Sequence, residues 1–424
     1  MIVNRFGSLI IFIGGILVTA SVSIAAKDLA TARPEKVGMS SERLARINPL
    51  MRQYVESGEL IGAVTMIARH GQVVHFEKFG DVNKETGQDM AVDSIFRIYS
   101  MTKPITTVAA MMLYEQGKFQ LSDPVEKYLP EFKNILVLGE DSRPVKQDKP
   151  FTIENLMTHT AGFTYGFSGT TPVDRRYREA DILAKKDLAA MVTELGNIPL
   201  LYQPGTRWRY SVSIDVLGRL VEVISGQPLD EYFKQHIFDP LEMHDTFFEV
   251  PADKLNRFGT NHRFNRESNE LEIIDRPDST SPFTDDVTFF SGGGGLLSTA
   301  EDYMRFCMMV LNGGELNGVR LLGRKTVEFM TRDHLQSIFG GFAGDTSGLN
   351  PGTGFGLGFA VVGDVPRAGV IGSDGEYNWG GAAGTIFWID PVEDLIVIVM
   401  IQHQNVQIPL RNAVKALVYS SIIE

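Results

Sequence analysis

Ser100 and Lys103, in Phe96-Arg97-Ile98-Tyr99-Ser100-Met101-Thr102-Lys103-Pro104, set a hydroxyl and an amine three residues apart. On a helix, positions i and i+3 share a face, so the two groups meet without help from distant parts of the chain. Pro104 places them in a first helical turn, where a missing N–H costs nothing. A serine hydroxyl needs a base beside it to act as a nucleophile. Lysine can be that base if its pKa falls well below about 10.4; alternatively it stays charged and holds a second base ionised. The pattern alone is weak, because S-x-x-K is expected by chance about once or twice in a chain of this size.

A second candidate is Tyr210, in Pro204-Gly-Thr-Arg-Trp-Arg-Tyr210-Ser211-Val212, where turn residues precede an aromatic and basic run and then a helix. A cation such as Lys103 favours the phenolate, which could take the Ser100 proton and return it to a leaving group. A third is Tyr377-Asn378-Trp379-Gly380-Gly381-Ala382-Ala383-Gly384. Gly380 and Gly381 allow close backbone approach to a ligand at the start of a strand. The Ala382 N–H, with the Ser100 N–H at its helix start, would form an oxyanion hole.

The surrounding pattern says what must position these groups. A helix is expected from Ser40/Ser41 through Tyr54, then a hairpin of Ile61–Arg69 and Val73–Phe79 around His70-Gly71-Gln72. The Ser100 helix runs through Leu113 and stops at Gly117. Short helices follow at Thr152–Gly162, Arg175–Leu195, Asp215–Ser225 and Leu229–Phe238, with a loop or lid over Asn256–Thr284. Ser291–Gly295 is expected as a structural turn leading to a helix with a capping box at Ser298–Glu301. Strands return at Gly356–Val362, Ala383–Ile389 and Leu395–Ile401, and a helix over Gln407–Ile423 closes the chain. Strands at both ends with helices between them give an α+β fold. In it an antiparallel sheet from residues 26–124 and 286–424 is flanked by helices, and a mostly helical domain, 125–285, is inserted.

Taken in order, these motifs resemble the serine β-lactamase and penicillin-binding superfamily, most of all class C β-lactamases and family VIII carboxylesterases. The likeness extends to Leu156-Met-Thr-His159-Thr-Ala-Gly162, Gln203-Pro-Gly-Thr206, Gly218-Arg-Leu-Val-Glu222, Ser291–Ser298 and Gly354-Phe-Gly-Leu-Gly358. It implies an acyl-enzyme on Ser100 with Lys103 and Tyr210 handling protons, in a cleft between sheet and helical domains. Two positions depart from the pattern. Trp379-Gly380-Gly381 stands where β-lactamases carry Lys-Thr-Gly, and Val212 stands where Tyr-x-Asn has its asparagine. Both changes favour a neutral, hydrophobic ester over an anionic lactam, with Trp379, Gly380, Gly381 and Val212 lining the substrate pocket. The expected activity is carboxylic ester hydrolysis with short acyl chains. The alternatives are a β-lactamase or D-alanyl-D-alanine carboxypeptidase, or a non-catalytic penicillin-binding-like receptor.

Composition narrows the partners. The chain has 424 residues, 43% hydrophobic and 22% charged, with a formal net charge of −12, which argues against nucleic acid and leaves a small-molecule ester as the expected partner. No G-x-S-x-G, H-E-x-x-H or His/Cys cluster is present, so no α/β-hydrolase elbow, metal or cofactor is expected. Residues 1–25 carry Arg5, an apolar stretch and Ser23-Ile24-Ala25, the pattern of a leader cut after Ala25. The mature chain would then be periplasmic or secreted and free of the membrane. A single cysteine, Cys307, rules out a disulfide framework within the chain.

Overall fold

The computed structural model describes residues 28–424 apart from 168, 269, 340–345 and 347; the expected leader lies outside the described residues. Eight strands make one antiparallel sheet: Gly62–Arg69 (β1), Gln72–Asn83 (β2), Gln88–Asp89 (β3), Thr353–Phe355 (β4), Ala360–Val362 (β5), Tyr377–Gly380 (β6), Ile386–Asp390 (β7) and Leu395–Met400 (β8). Their order is β4-β5-β6-β7-β8-β1-β2-β3, so the two chain ends meet in mid-sheet with Val64 opposite Met400. β1 and β8 are buried along their whole length, which is why β8 reads as an unbroken apolar run and β1 as an apolar run broken only by Thr65 and ended by Arg69.

Helices cover both faces. On one lie Thr102–Glu115 (α1), Ser213–Ser225 (α2) and Ala300–Leu311 (α3), within one large apolar core. On the other, Leu410–Ser420 (α4) and Ile47–Glu56 pack on Trp388, Val397 and Ile67. α1 is buried without a break from Thr102 to Met111, the signature of a helix enclosed on all sides. Its small residues Ala109 and Ala110 face no solvent, so Ser100 and Lys103 sit at the start of an enclosed central helix.

Several boundaries differ from the sequence expectations. Arg175–Leu195 is not one helix. It breaks into Pro172–Glu179 and Leu188–Leu195, because Asp181 takes a left-handed φ of 47° and Asp187 caps a new helix through the Ala190 N–H. Gly356–Val362 is not one strand either, since a turn at Gly356–Phe359 joins β4 to β5. The helix α3 is capped by Thr299 rather than Ser298. The expected loop over Asn256–Thr284 contains a hairpin, Asn261–Asn265 with Glu270–Asp275, and its first strand also pairs with His403–Gln404. Glu270–Asp275 alternates exposed and half-buried positions, the period-2 pattern of a strand with one wet face.

A buried ion pair joins α4 to the sheet. Lys415 Nζ donates to Glu376 at 2.6 Å, and the Tyr419 hydroxyl lies 3.0 Å from Glu376 and 2.8 Å from Asp390. The Glu376 and Lys415 side chains are only 1% and 4% exposed. Removing one partner strands the other charge, so Lys415→Met should cost about 3–5 kcal/mol in urea unfolding. Glu376→Gln added to Lys415→Met should recover part of that loss. Equal stability of single and double variants would contradict this account.

Candidate active site

Strand Phe96–Arg97 delivers the chain into a 3-10 turn, Tyr99–Met101, which feeds directly into α1. Tyr99 holds a left-handed φ of 41°, a strained conformation for a residue with a Cβ. The hairpin region holds it there: Asn261 Nδ2 donates to the Tyr99 hydroxyl at 3.0 Å, and Phe283 meets its ring edge-on at 6.2 Å. The preceding Arg97 is fully buried. It donates to Asp275 at 2.5 Å and to the Gly259 carbonyl at 2.7 Å, and stacks on Phe258 at 3.8 Å. The segment expected as a lid therefore buttresses the residues just before Ser100.

Ser100, Lys103 and Tyr210 come together. Lys103 Nζ lies 3.2 Å from Ser100 Oγ, and the Tyr210 hydroxyl lies 2.5 Å from the same oxygen. The Lys103 ammonium site is also 4.5 Å from the Tyr210 ring centre. Two further acceptors hold Lys103, the Tyr165 hydroxyl at 2.9 Å and the Gly293 carbonyl at 2.6 Å. Behind Tyr210 lies His159, fully buried, its ring centre 4.8 Å away and its Nδ1 3.3 Å from Ser211 Oγ. Burial, and then the Lys103 charge, push the His159 pKa well down, so its ring is a neutral wall and not a proton donor. Tyr165 is half-buried at the cleft wall, and desolvation followed by the Tyr210 and Asp215 charges raises its pKa well above the usual phenol value.

Trp379 lies across the mouth of this group, its indole N–H 3.4 Å from the Tyr210 hydroxyl. β5 pairs with β6 only at Tyr377 and Asn378, so the edge of β6 from Trp379 onward is open to the cleft. Trp379-Gly380 are the last strand residues rather than the entry to one, and Ala382 sits exposed in the turn that follows. That turn is closed by Gly381 N–H to Thr385 and Gly384 N–H to Gly381, and it does not use the Ala382 N–H.

Both glycines line the cleft, and each also permits a close approach within the protein. A Cβ on Gly381 would stand 2.4 Å from the Ile98 carbonyl, so its lack of a side chain lets the turn after β6 close on the segment that leads to Ser100. A Cβ on Gly380 would stand 3.1 Å from Arg411. Val212 does not line the cleft. It is fully buried in the apolar core at the start of α2, and the substrate role expected of it is corrected accordingly.

Sequence reasoning missed Tyr165, Asp215, Gly293 and Arg411. Arg411 reaches from α4 to the open edge, donating to Asn378 Oδ1 at 3.0 Å and to the Trp379 carbonyl at 3.3 Å. A cation thus stands beside Trp379, although the strand position itself has lost its lysine. The cleft that joins all these groups measures about 1690 Å³, larger than the 300–1,000 Å³ or so typical of small-molecule sites.

The fold coincides with a known class. The model of the Beta-lactamase family matches residues 47–419, and the chain belongs to that family. Esterase EstB of Burkholderia gladioli is 30% identical over 394 residues, covering 89% of this chain and 95% of its own. A putative D-alanyl-D-alanine carboxypeptidase of Escherichia coli (strain K12) is 28% identical over 438 residues, covering 95% and 92%. Among solved structures, EstCE1, described as a hydrolase with promiscuous acyltransferase activity, superposes with a TM-score of 0.75 at 27% identity, covering 89% of this chain and 99% of that one.

Proposed function

We propose that the protein is a serine hydrolase that cleaves carboxylic esters through an acyl-Ser100 intermediate. The observation that carries this reading is the convergence of Lys103 Nζ and the Tyr210 hydroxyl on one serine oxygen, at 3.2 and 2.5 Å. In the proposed cycle the Lys103–Tyr210 pair takes the Ser100 proton as Oγ attacks the ester carbonyl. The N–H groups of Ser100 and Ala382 hold the oxyanion, and Tyr210 returns the proton to the departing alcohol. Water then releases the acid. Lys103 and Tyr210 exchange the proton as one coupled unit. Similarity to EstB and EstCE1 supports an ester as the substrate.

The acyl group is proposed to be short, and the cleft has room for a larger alcohol. A panel of p-nitrophenyl esters of increasing acyl length, compared with a cephalosporin and a D-Ala-D-Ala peptide, tests this. Highest kcat/KM for a short neutral ester is expected; a lactam or peptide preference would reverse the assignment. Arg411 favours a second, weaker activity on anionic lactams, because its guanidinium can take a carboxylate at the open β6 edge. Arg411→Gln should lower the cephalosporin rate relative to the neutral ester by about tenfold. An unchanged ratio would remove Arg411 from substrate binding.

The leader pattern of residues 1–25 supports a further part of the proposal, export from the cytoplasm with a cut after Ala25. Intact mass of the exported form checks the cleavage point.

A further inference from the structure

Asp215 lies in the first turn of α2 and is fully buried, yet the cycle above does not use it. Its carboxylate does not cap its own helix. One oxygen accepts from Ser291 Oγ at 2.5 Å and from the Gly293 N–H at 3.0 Å. The carbonyl of that same residue, Gly293, accepts from Lys103 at 2.6 Å. One glycine therefore links the buried carboxylate to the catalytic amine. The turn is fixed from the other side as well, since Thr106 donates to the Gly292 carbonyl at 2.6 Å and the Leu296 N–H donates to Thr102 Oγ1 at 3.1 Å.

The second carboxylate oxygen has no hydrogen-bond partner among the described residues. A buried carboxylate left so needs a compensating charge. Lys103 supplies it: burial pushes the Asp215 pKa up, and Lys103 is the strongest of the influences pulling it back. A Cβ on Gly293 would lie 2.3 Å from that free oxygen, so only glycine lets the carboxylate approach. The turn expected to be merely structural thus has a defined electrostatic task.

We propose that Asp215 is a positioning residue: it orients the Gly293 peptide that anchors Lys103 and supplies the negative charge that balances that amine. The proposal rests on the reading of Ser100, Lys103 and Tyr210 as the reacting set. The groups facing Asp215 are Lys103 from α1, Tyr165 from the loop after Ile153–Met157, Ser291 from the glycine turn and, through Tyr165, Tyr210. His159 is neutral beside them.

The direction of the effect follows without choosing which group is the base. Removing a negative charge favours loss of a proton from every member of the Lys103–Tyr210–Tyr165 unit. Any activity that needs one of them deprotonated then begins at lower pH.

Two readouts test this in Asp215→Asn. The ultraviolet titration of tyrosinate, with Tyr210→Phe as the subtraction, should show the Tyr210-dependent midpoint about one pH unit lower. The rate of Ser100 labelling by a fluorophosphonate should show its acid limb displaced the same way, with its maximum about tenfold lower. Asp215→Glu keeps the charge and should return the midpoint toward the parent value. Gly293→Ala pushes the carboxylate aside and should move the midpoint as Asp215→Asn does, which keeps the test available if Asp215→Asn does not fold. An unmoved midpoint and limb in the variants that fold would overturn the proposal and leave Asp215 a packing residue. Failure of the parent to label at Ser100 would instead count against the nucleophile, since the tyrosinate titration does not pass through Ser100.

Discussion

Ser100→Ala should abolish the proposed ester hydrolysis, with kcat reduced by about four orders of magnitude or more. The expectation rests on Ser100 being the one oxygen on which both Lys103 and Tyr210 converge. Removing it deletes the covalent intermediate rather than weakening one contact. The parent protein should gain the mass of one phosphonyl group from a fluorophosphonate, and Ser100→Ala should gain none. Near-parent hydrolysis of a p-nitrophenyl ester by the alanine variant would show that another residue attacks.

Tyr210→Phe is the second large effect. It keeps the ring that packs on His159 and Trp379 but removes the hydroxyl 2.5 Å from Ser100 Oγ. Loss of a proton-transfer group lowers kcat by about 10²- to 10⁴-fold. KM should change little, because the apolar walls of the site remain. Combining Tyr210→Phe with Lys103→Met should cost far less than the product of the two single losses, since both act on one proton. Pre-steady-state measurement of alcohol release checks this: the fast phase should slow in Tyr210→Phe, and an unaltered phase would exclude the phenol from acylation.

The parts of this site that were legible in the sequence are those that depend on local geometry. Ser100 and Lys103 share a helix turn, so their spacing alone brings them together. Tyr210 comes from a distant loop and was found only through the order of the motifs. The partners that hold Lys103 were not legible. One is a backbone carbonyl, Gly293, which any residue type could supply, and another is Tyr165, whose neighbours carry no distinguishing pattern. Val212 was misjudged because a motif position was taken as a cleft position. The chain turns inward there to begin α2, and an apolar side chain follows it into the core. The hairpin at 261–275 was taken for a loop because its strands are short and polar on the wet side.

The eight-stranded fold itself was foreshadowed by apolar runs at both ends of the chain, which the structure pairs as β1 and β8. That pairing shapes how the molecule is made. β1 is synthesised long before β8, the strand that covers its edge. Until then β1 has a partner only in β2, and contacts between the most distant segments are the slowest to form. The ends are then tied: Ile423 N–H reaches the Gly38 carbonyl, and Ser40 N–H reaches Ser421. A nascent chain stopped before residue 395 would carry every group of the proposed reacting set yet lack the central seam of its sheet. Acquisition of activity should therefore wait until β1 and β8 have paired.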